Sequence, residues 1–354
     1  MRTARVPGKI LLTGEYAVLD GAPAIVAAVD RFVECRRTHA RSFEVRGMGL
    51  CWREGGPEVA GLNFAREALA VTRRYLLGRG VELAAHAFEL TDDLRAPDGQ
   101  KLGLGGSACV TVAVVEAALA IAEANGGQAR IKALSKAQER DRIFKLAALA
   151  HSRAQGKIGS GVDVAAASFG GLILTRRFEQ APFHAAFDAS PEAFARFVDG
   201  SPAHPIEQLP IPGELLLLFS GKSASTPALV TCVRQAARRH PEAWRAFLAA
   251  SEAATESLAR ALRARDMAAA RRQIKAAWAA LDAFEPLTDV DITAPNHREL
   301  MALAEAAGCA AKPSGAGGGD SAFAMGATER LEALRTTLLR DGQFAFVVAF
   351  CPPV

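Results

Sequence analysis

No two of the six cysteines form a Cys-x-x-Cys pair, and none stands at zinc-ligand spacing to the seven histidines. That excludes a zinc module and leaves reduced thiols as the expectation. No low-complexity tract interrupts the chain, and half of its residues are hydrophobic, so it has the material for packed cores. Charge of one sign is scarce in excess: the formal net charge is only +4 over 354 residues, with Arg and Lys scattered. A nucleic-acid footprint is therefore not expected, whereas a small anionic substrate is compatible. Long apolar runs are also missing. The longest, Val110 to Ala122, contains Glu116 and falls short of the ~20 residues that span a bilayer. The N-terminus opens into folded-looking sequence without a charged segment followed by an apolar one. The expectation is a cytoplasmic protein with no membrane partner, monomeric or homodimeric.

Two familiar nucleotide motifs are absent as well. Gly221-Lys222-Ser223 ends like a P-loop, but the glycine needed five residues earlier is Leu216. The turn at 103–108 lacks the last glycine of Gly-x-Gly-x-x-Gly, where Ala108 stands. A P-loop NTPase and a Rossmann dehydrogenase are both excluded.

What is present are three glycine-rich turns: Lys101-Leu-Gly-Leu-Gly-Gly-Ser107, Gln155-Gly-Lys-Ile-Gly-Ser-Gly-Val-Asp163 and Lys312-Pro-Ser-Gly-Ala-Gly-Gly-Gly-Asp320. Each carries Ser or Asp and has a lysine beside it. Glycine lets backbone approach a ligand closely. Three such turns describe a chain built around something polyanionic, most simply phosphate.

At this length two domains are the default, here 1–180 and 181–354. Ile10–Leu12, Ala24–Val29, Phe43–Arg46, the stretch from Phe88 and Gly171–Thr175 read as strands. Helices are expected from Asn63 (a possible N-cap) to 78, from Ser107 to Ala124, from Ser135 (N-cap) to Gln155, and from Val164. Six prolines between 179 and 212, with little periodicity, read as the border between domains. Beyond it come a strand at 215–219, helices near 227–239, 242–263, 266–284 and 296–307, strands 310–313 and 321–325, helix 328–340 and strand 344–350. Without regular βαβ alternation this is α+β in both halves.

Local readings of single residues stay divided. Ser107 either caps a helix or binds phosphate or Mg²⁺, and Lys101 with the glycines favours the second. Asp163 is either an N-cap or a carboxylate that orients a nucleophile, binds metal or accepts a proton. Lys9 reads as a solvated lysine, and Lys157 inside a glycine turn as a phosphate ligand. Lys222 stands where a strand meets a helix, among hydroxyls that serve as caps. His151 reads as an ordinary helix histidine.

Pro7-Gly-Lys-Ile-Leu-Leu-Thr-Gly-Glu-Tyr-Ala-Val-Leu19, Gly103-Leu-Gly-Gly-Ser-Ala108 and Lys312–Asp320, in that order, resemble the hallmark segments of the galactokinase, homoserine kinase, mevalonate kinase and phosphomevalonate kinase (GHMP) superfamily. The resemblance covers essentially the whole chain. Lys101 before Leu-Gly-Leu-Gly, the run from Ala154 to Ala167, Gly221-Lys-Ser-Ala-Ser-Thr226 and Ile292-Thr-Ala-Pro295 look like its phosphomevalonate kinase branch. It implies an N-terminal domain like domain 2 of ribosomal protein S5, a ferredoxin-like C-terminal domain and an active site between them. It also implies ATP and Mg²⁺, with phosphomevalonate as acceptor; mevalonate or another small molecule is the alternative, and a catalytically silent sensor a third. Carried over residue by residue, Lys9, Lys101 and Asp163 would be catalytic, with Asp163 positioning Lys9. Gly103, Gly105, Gly106, Ser107 and Ala108 would hold ATP, with Ser107 on the metal. Lys9, Lys157, Ser160, Lys222, Ser314, Gly315, Ala316, Gly317 and Asp320 would bind the acceptor. The chain departs from the pattern at Gly106, where the family has its first Ser, and at Ser152, where mevalonate kinases carry a metal-binding glutamate.

Overall fold

The computed structural model describes residues 3–124, 134–156, 159–221, 226–319, 321–342 and 345–354. Lys157, Lys222 and Asp320 lie outside the described residues. The first half begins with β1 (Ala4–Thr13) and the 16-residue β2 (Ala24–His39), whose β-branched and apolar residues pair antiparallel over their length. Then come β3 (Glu44–Gly47), β4 (Leu50–Arg53), α1 (Asn63–Gly78) and β5 (His86–Asp92). They are followed by α2 (Gly106–Ala124), α3 (Lys136–Ala154), α4 (Val162–Phe169) and β6 (Leu172–Thr175). The sheet runs β4-β3-β5-β2-β6 with β1 also on β2, and among the described residues only the β3–β5 pair is parallel.

The long apolar helix is a core element. α2 spans 19 residues, longer than the apolar run within it, and Val112 to Val115 are fully buried among the other elements. α3 starts where its sequence says: Ser135 Oγ accepts from Gln138 N at 3.3 Å and Gln138 Oε1 accepts from Ser135 N at 3.0 Å, a capping box. Asn63 is not a cap. It is the first helical residue after Leu62, and its Nδ2 donates to Ala154 O at 3.2 Å, tying the start of α1 to the end of α3.

Residues 181–209 correct the proline-based border. They form α5 (Ala181–Ala189), α6 (Pro191–Gly200) and β7 (Ile206–Leu209), and β7 pairs antiparallel with β6 in the first sheet. Pro182 and Pro191 occupy first helical turns, where a missing N–H costs nothing. The ten-residue helix does carry an apolar face, Phe194, Ala195 and Val198, but one so short is easily overlooked among prolines. The change of sheet falls between Leu209 and Glu214.

The second sheet is four-stranded and antiparallel, in the order β11 (Ala345–Ala349), β8 (Glu214–Phe219), β10 (Ser321–Met325), β9 (Ala310–Pro313). Helices α7 (Thr226–Arg239), α8 (Pro241–Arg263), α9 (Met267–Phe284), α10 (Pro295–Ala306) and α11 (Thr328–Arg340) complete this half, as the sequence reading expected. One apolar core runs through both halves, joining Ile10, Leu12 and Val29 to Leu217, Phe323 and Leu258, and a second lies under α10 and α11. Mixed helix and sheet in both halves matches the α+β expectation.

A buried polar cluster fastens the link between α6 and β7. Lys145 pairs with Asp141 at 2.6 Å and donates to Ser201 O at 2.9 Å, while His204 N donates to Asp141 Oδ1 at 2.8 Å. The His204 ring stacks on Phe144, with centroids 4.7 Å apart. Burial pushes this imidazole from its ordinary 6.5 down to about 4, against a smaller opposing pull from Asp141. A base with a lowered folded value stabilises the fold above pH 6.5 and loses that contribution as pH falls toward 4. His204→Gln should therefore reduce the loss of unfolding free energy between pH 7 and pH 4.5, read from urea denaturation, by an amount on the order of 2 kcal/mol. Equal drops in both proteins would contradict this.

Candidate active site

The two halves meet at a cleft of about 500 Å³. Its floor is made by the turn before α2. Gly103 and Gly105 have φ of 70° and 77°, a conformation that glycine adopts freely. α2 begins at Gly106, and the helix is entered through the bond from Cys109 N to Gly105 O at 3.1 Å. The amides of Gly106, Ser107 and Ala108 thus belong to the unsatisfied first turn, with the positive end of the helix dipole. Ala108 itself is fully buried, so it has only backbone to offer.

Lys9 is not a solvated lysine. It lies on β1 with its N–H bonded to Leu104 O at 2.9 Å and its Nζ to Gly103 O at 3.2 Å. A Cβ on Gly105 would stand 2.8 Å from Lys9 Cγ, and one on Gly315 would stand 3.9 Å from Lys9 Nζ. Two glycine turns, 210 residues apart in sequence, thereby leave room for one ammonium. Lys101, exposed, and Arg95 line the same cleft.

Asp163 and Ser160 reach the cleft from the second turn. Asp163 does not hold Lys9: among the described residues the two form no ion pair, because the Lys9 ammonium is drawn to the Gly103 carbonyl. Asp163 Oδ2 lies instead 3.7 Å from His151 Nε2, and His151 Nε2 lies 3.0 Å from Ser107 Oγ. Ser107 therefore uses its side chain on another side chain and not as a helix cap. His151, read from sequence as an ordinary helix residue, is the one that joins two glycine turns. Ser152, the next residue, turns away from the cleft and bonds Gln180 and His184.

The third turn is fixed to the first half. Leu11 N donates to Ser314 Oγ at 2.9 Å, the Tyr16 hydroxyl donates to Ala316 O, and Ser321 Oγ donates to Leu102 O at 2.8 Å. Burial, with Glu15 adding, pushes the Tyr16 phenol well above its ordinary value, which keeps it a donor. Ser314, Gly315 and Ala316 face the cleft. Gly317 does not: its Cβ would lie 2.1 Å from Ile292 O, so this glycine seats the turn against its own half.

Lys312 is not a phosphate lysine. It is fully buried, ion-paired to Glu15 and donating to Pro313 O at 2.8 Å. Burial pushes its ammonium down from the ordinary value while Glu15 pulls it back. Nothing in the Lys-Pro-Ser spacing distinguishes a buried lysine from a ligand-facing one. The only hint was Glu15 in the first hallmark segment, an acid within an apolar stretch.

Residues 63–171 match the model of the GHMP kinases N terminal domain, and residues 258–339 that of the GHMP kinases C terminal. The phosphomevalonate kinase of Streptomyces sp. (strain CL190) is 32% identical over 355 residues, covering 90% of this chain and 88% of that protein. The chain belongs to the GHMP kinase family. Another member, the mevalonate kinase of Pyrococcus furiosus (strain ATCC 43587 / DSM 3638 / JCM 8422 / Vc1), is 25% identical over 364 residues, covering 96% of this chain and 93% of its own. The same fold occurs in the Streptococcus pneumoniae phosphomevalonate kinase in complex with phosphomevalonate and AMPPNP, with a TM-score of 0.82 at 21% identity over 100% of both chains.

The buried pair makes a stability prediction within this family fold. Lys312→Met leaves the Glu15 carboxylate buried and unpaired and should cost about 3–5 kcal/mol. The double variant Glu15→Leu/Lys312→Met should regain most of that in urea denaturation at pH 7, because no uncompensated charge remains. Additive losses would show that the pair is not coupled.

Proposed function

We propose that this GHMP kinase transfers the γ-phosphoryl group of ATP to the phosphate of (R)-5-phosphomevalonate, giving 5-diphosphomevalonate and ADP. The observation that carries the reading is the Lys9 ammonium at the junction of two glycine turns, with Lys101 on the same wall. Two phosphoryl groups repel each other, and bringing them into line needs fixed positive charge more than covalent help. The identity with the Streptomyces phosphomevalonate kinase over 90% of the chain supports the same acceptor.

In this reading the amides at the start of α2 and the Ser107 hydroxyl hold the phosphates of ATP. The acceptor phosphate, with a second pKa near ~6, arrives mostly dianionic at pH 7. One of its oxygens attacks the γ-phosphorus, the bond to the β-phosphate oxygen breaks, and ADP leaves with that electron pair. No proton has to be removed from the acceptor. Lys9 stabilises the charge on the transferring group, Lys101 lends a second cation, and Asp163 holds the far wall through His151. Ser160, Ser314, Gly315 and Ala316 offer hydroxyl and backbone groups to the acceptor. Lys157, Lys222 and Asp320 are carried by the family resemblance alone.

Magnesium fits the donors present as a nucleotide-borne ion. Among the described residues no three His, Cys, Asp or Glu side chains form a cage, but the Ser107 hydroxyl is an oxygen donor on the cleft floor. When bound, the ion would neutralise charge on the ATP phosphates and keep several waters.

A second reading, transfer to mevalonate, is favoured by Asp163 lining the cleft, since an alcohol acceptor needs a base. Steady-state kinetics with both acceptors separate the two. Losing one charged phosphate contact costs several kcal/mol, so kcat/KM should favour phosphomevalonate by about 10²-fold or more. Comparable values, or a preference for mevalonate, would sink the proposal. Ser107→Ala should raise KM for Mg·ATP and lower kcat in a folded protein, with a stability loss no larger than about 1–3 kcal/mol for its one side-chain bond to His151. Full activity with lost stability would contradict the assignment.

A further inference from the structure

We infer that His151 is a positioning residue for phosphoryl transfer, fixing the Ser107 hydroxyl and the Asp163 carboxylate relative to one another. The inference rests on the proposed kinase reading of the cleft but not on which acceptor is used. Three helices converge at this imidazole. Ser107 lies in the first turn of α2, His151 in the last turn of α3, and Asp163 in the first turn of α4. Nε2 stands 3.0 Å from Ser107 Oγ and 3.7 Å from Asp163 Oδ2.

The ring is placed rigidly. Its side chain is 6% exposed and lies against Phe64, with ring centroids 4.9 Å apart. The residue that follows anchors the same helix turn from behind: Ser152 is buried on Gln180 and His184, and Gln180 Nε2 donates to Gly159 O at 3.2 Å. One turn of α3 thus touches the α2 turn with His151 and the 159–161 turn through Ser152. A serine hydroxyl on its own samples three staggered rotamers. Bonded to a buried ring, it is held in the one that presents its oxygen to the cleft. Asp163 Oδ1 is likewise engaged, accepting from Val164 N at 2.9 Å, which leaves Oδ2 toward His151. The histidine touches no reacting atom in this arrangement. It sets the distance between the nucleotide wall and the acceptor wall.

The test is a double-mutant cycle of His151→Leu with Ser107→Ala, read in kcat and in KM for ATP, with melting temperature as a check on folding. His151→Leu should lower kcat by about 10-fold to 10²-fold in the parent protein, with the smaller part of the effect in KM for the acceptor. In the Ser107→Ala background the same change should cost less than about 3-fold, because the group through which it acts is gone. His151→Gln, whose amide can reach Ser107, should recover most of the loss and serves as the conservative variant if His151→Leu fails to fold. Equal penalties in both backgrounds, an unchanged kcat in a folded His151→Leu protein, or no recovery with Gln would overturn the inference. The cycle is run with phosphomevalonate and with mevalonate. A wild-type preference for mevalonate would refute the acceptor assignment yet leave the His151 coupling readable. If neither acceptor is turned over, the cycle is read in ATP affinity by calorimetry, where additive losses overturn it.

Discussion

A buried ion pair between Glu15 and Lys312 underlies the geometry of the cleft. The partners are 297 residues apart and come from opposite halves of the molecule. Lys312 is fully buried and Glu15 is nearly so, at the inner edge of the cleft. A lone buried charge costs far more than a paired one, so the two elements that carry them stay together. Around the pair, the Tyr16 hydroxyl on Ala316 O and the Leu11 amide on Ser314 Oγ fix the third glycine turn against β1. Because Lys9 lies on that same strand, fixing the turn also fixes where the ammonium stands. Tyr16 holds a φ of 57°, unusual for a bulky residue and sustained here by its buried ring and hydrogen bond.

The charge pattern separates a structural cation from the cations that line the cleft. Lys312 is neutralised in the core and contributes shape, while Lys9 and Lys101 face the cleft. That division suits a reaction in which two anions must approach. Cations buried with carboxylate partners would do nothing for phosphate, and cations left fully in water would act at high dielectric and be weak. Lys9, partly shielded between two glycine turns, lies between those extremes. The glycines earn their place here by the absence of a Cβ: at Gly105 any side chain would collide with the Lys9 stem.

Most elements were legible in the sequence because long, strongly patterned segments declare themselves. α2, α3 with its Ser135 cap, and the four strands of the second sheet fall close to where hydrophobic pattern and punctuation put them. Residues 181–209 were not, because prolines that begin short helices look the same on paper as prolines that break a chain. The site divides similarly. Glycine turns and their hydroxyls mark phosphate chemistry by composition alone, and the structure gathers Lys9, Lys101, Gly103, Gly105, Gly106, Ser107, Ser160, Asp163, Ser314, Gly315 and Ala316 on one cleft. What sequence cannot say is which way a residue points. Lys312 and Gly317 belong to a phosphate-like motif yet face inward, and His151 belongs to a helix yet faces the site.

The central claim is that this cleft joins phosphate to phosphate. Phosphorus NMR of the products of ATP and Mg²⁺ with phosphomevalonate tests it most directly. The doublets of a new diphosphate ester should appear beside ADP, and should be absent when Lys9→Ala replaces the parent protein. A phosphomonoester formed from mevalonate, with phosphomevalonate left unchanged, would contradict it.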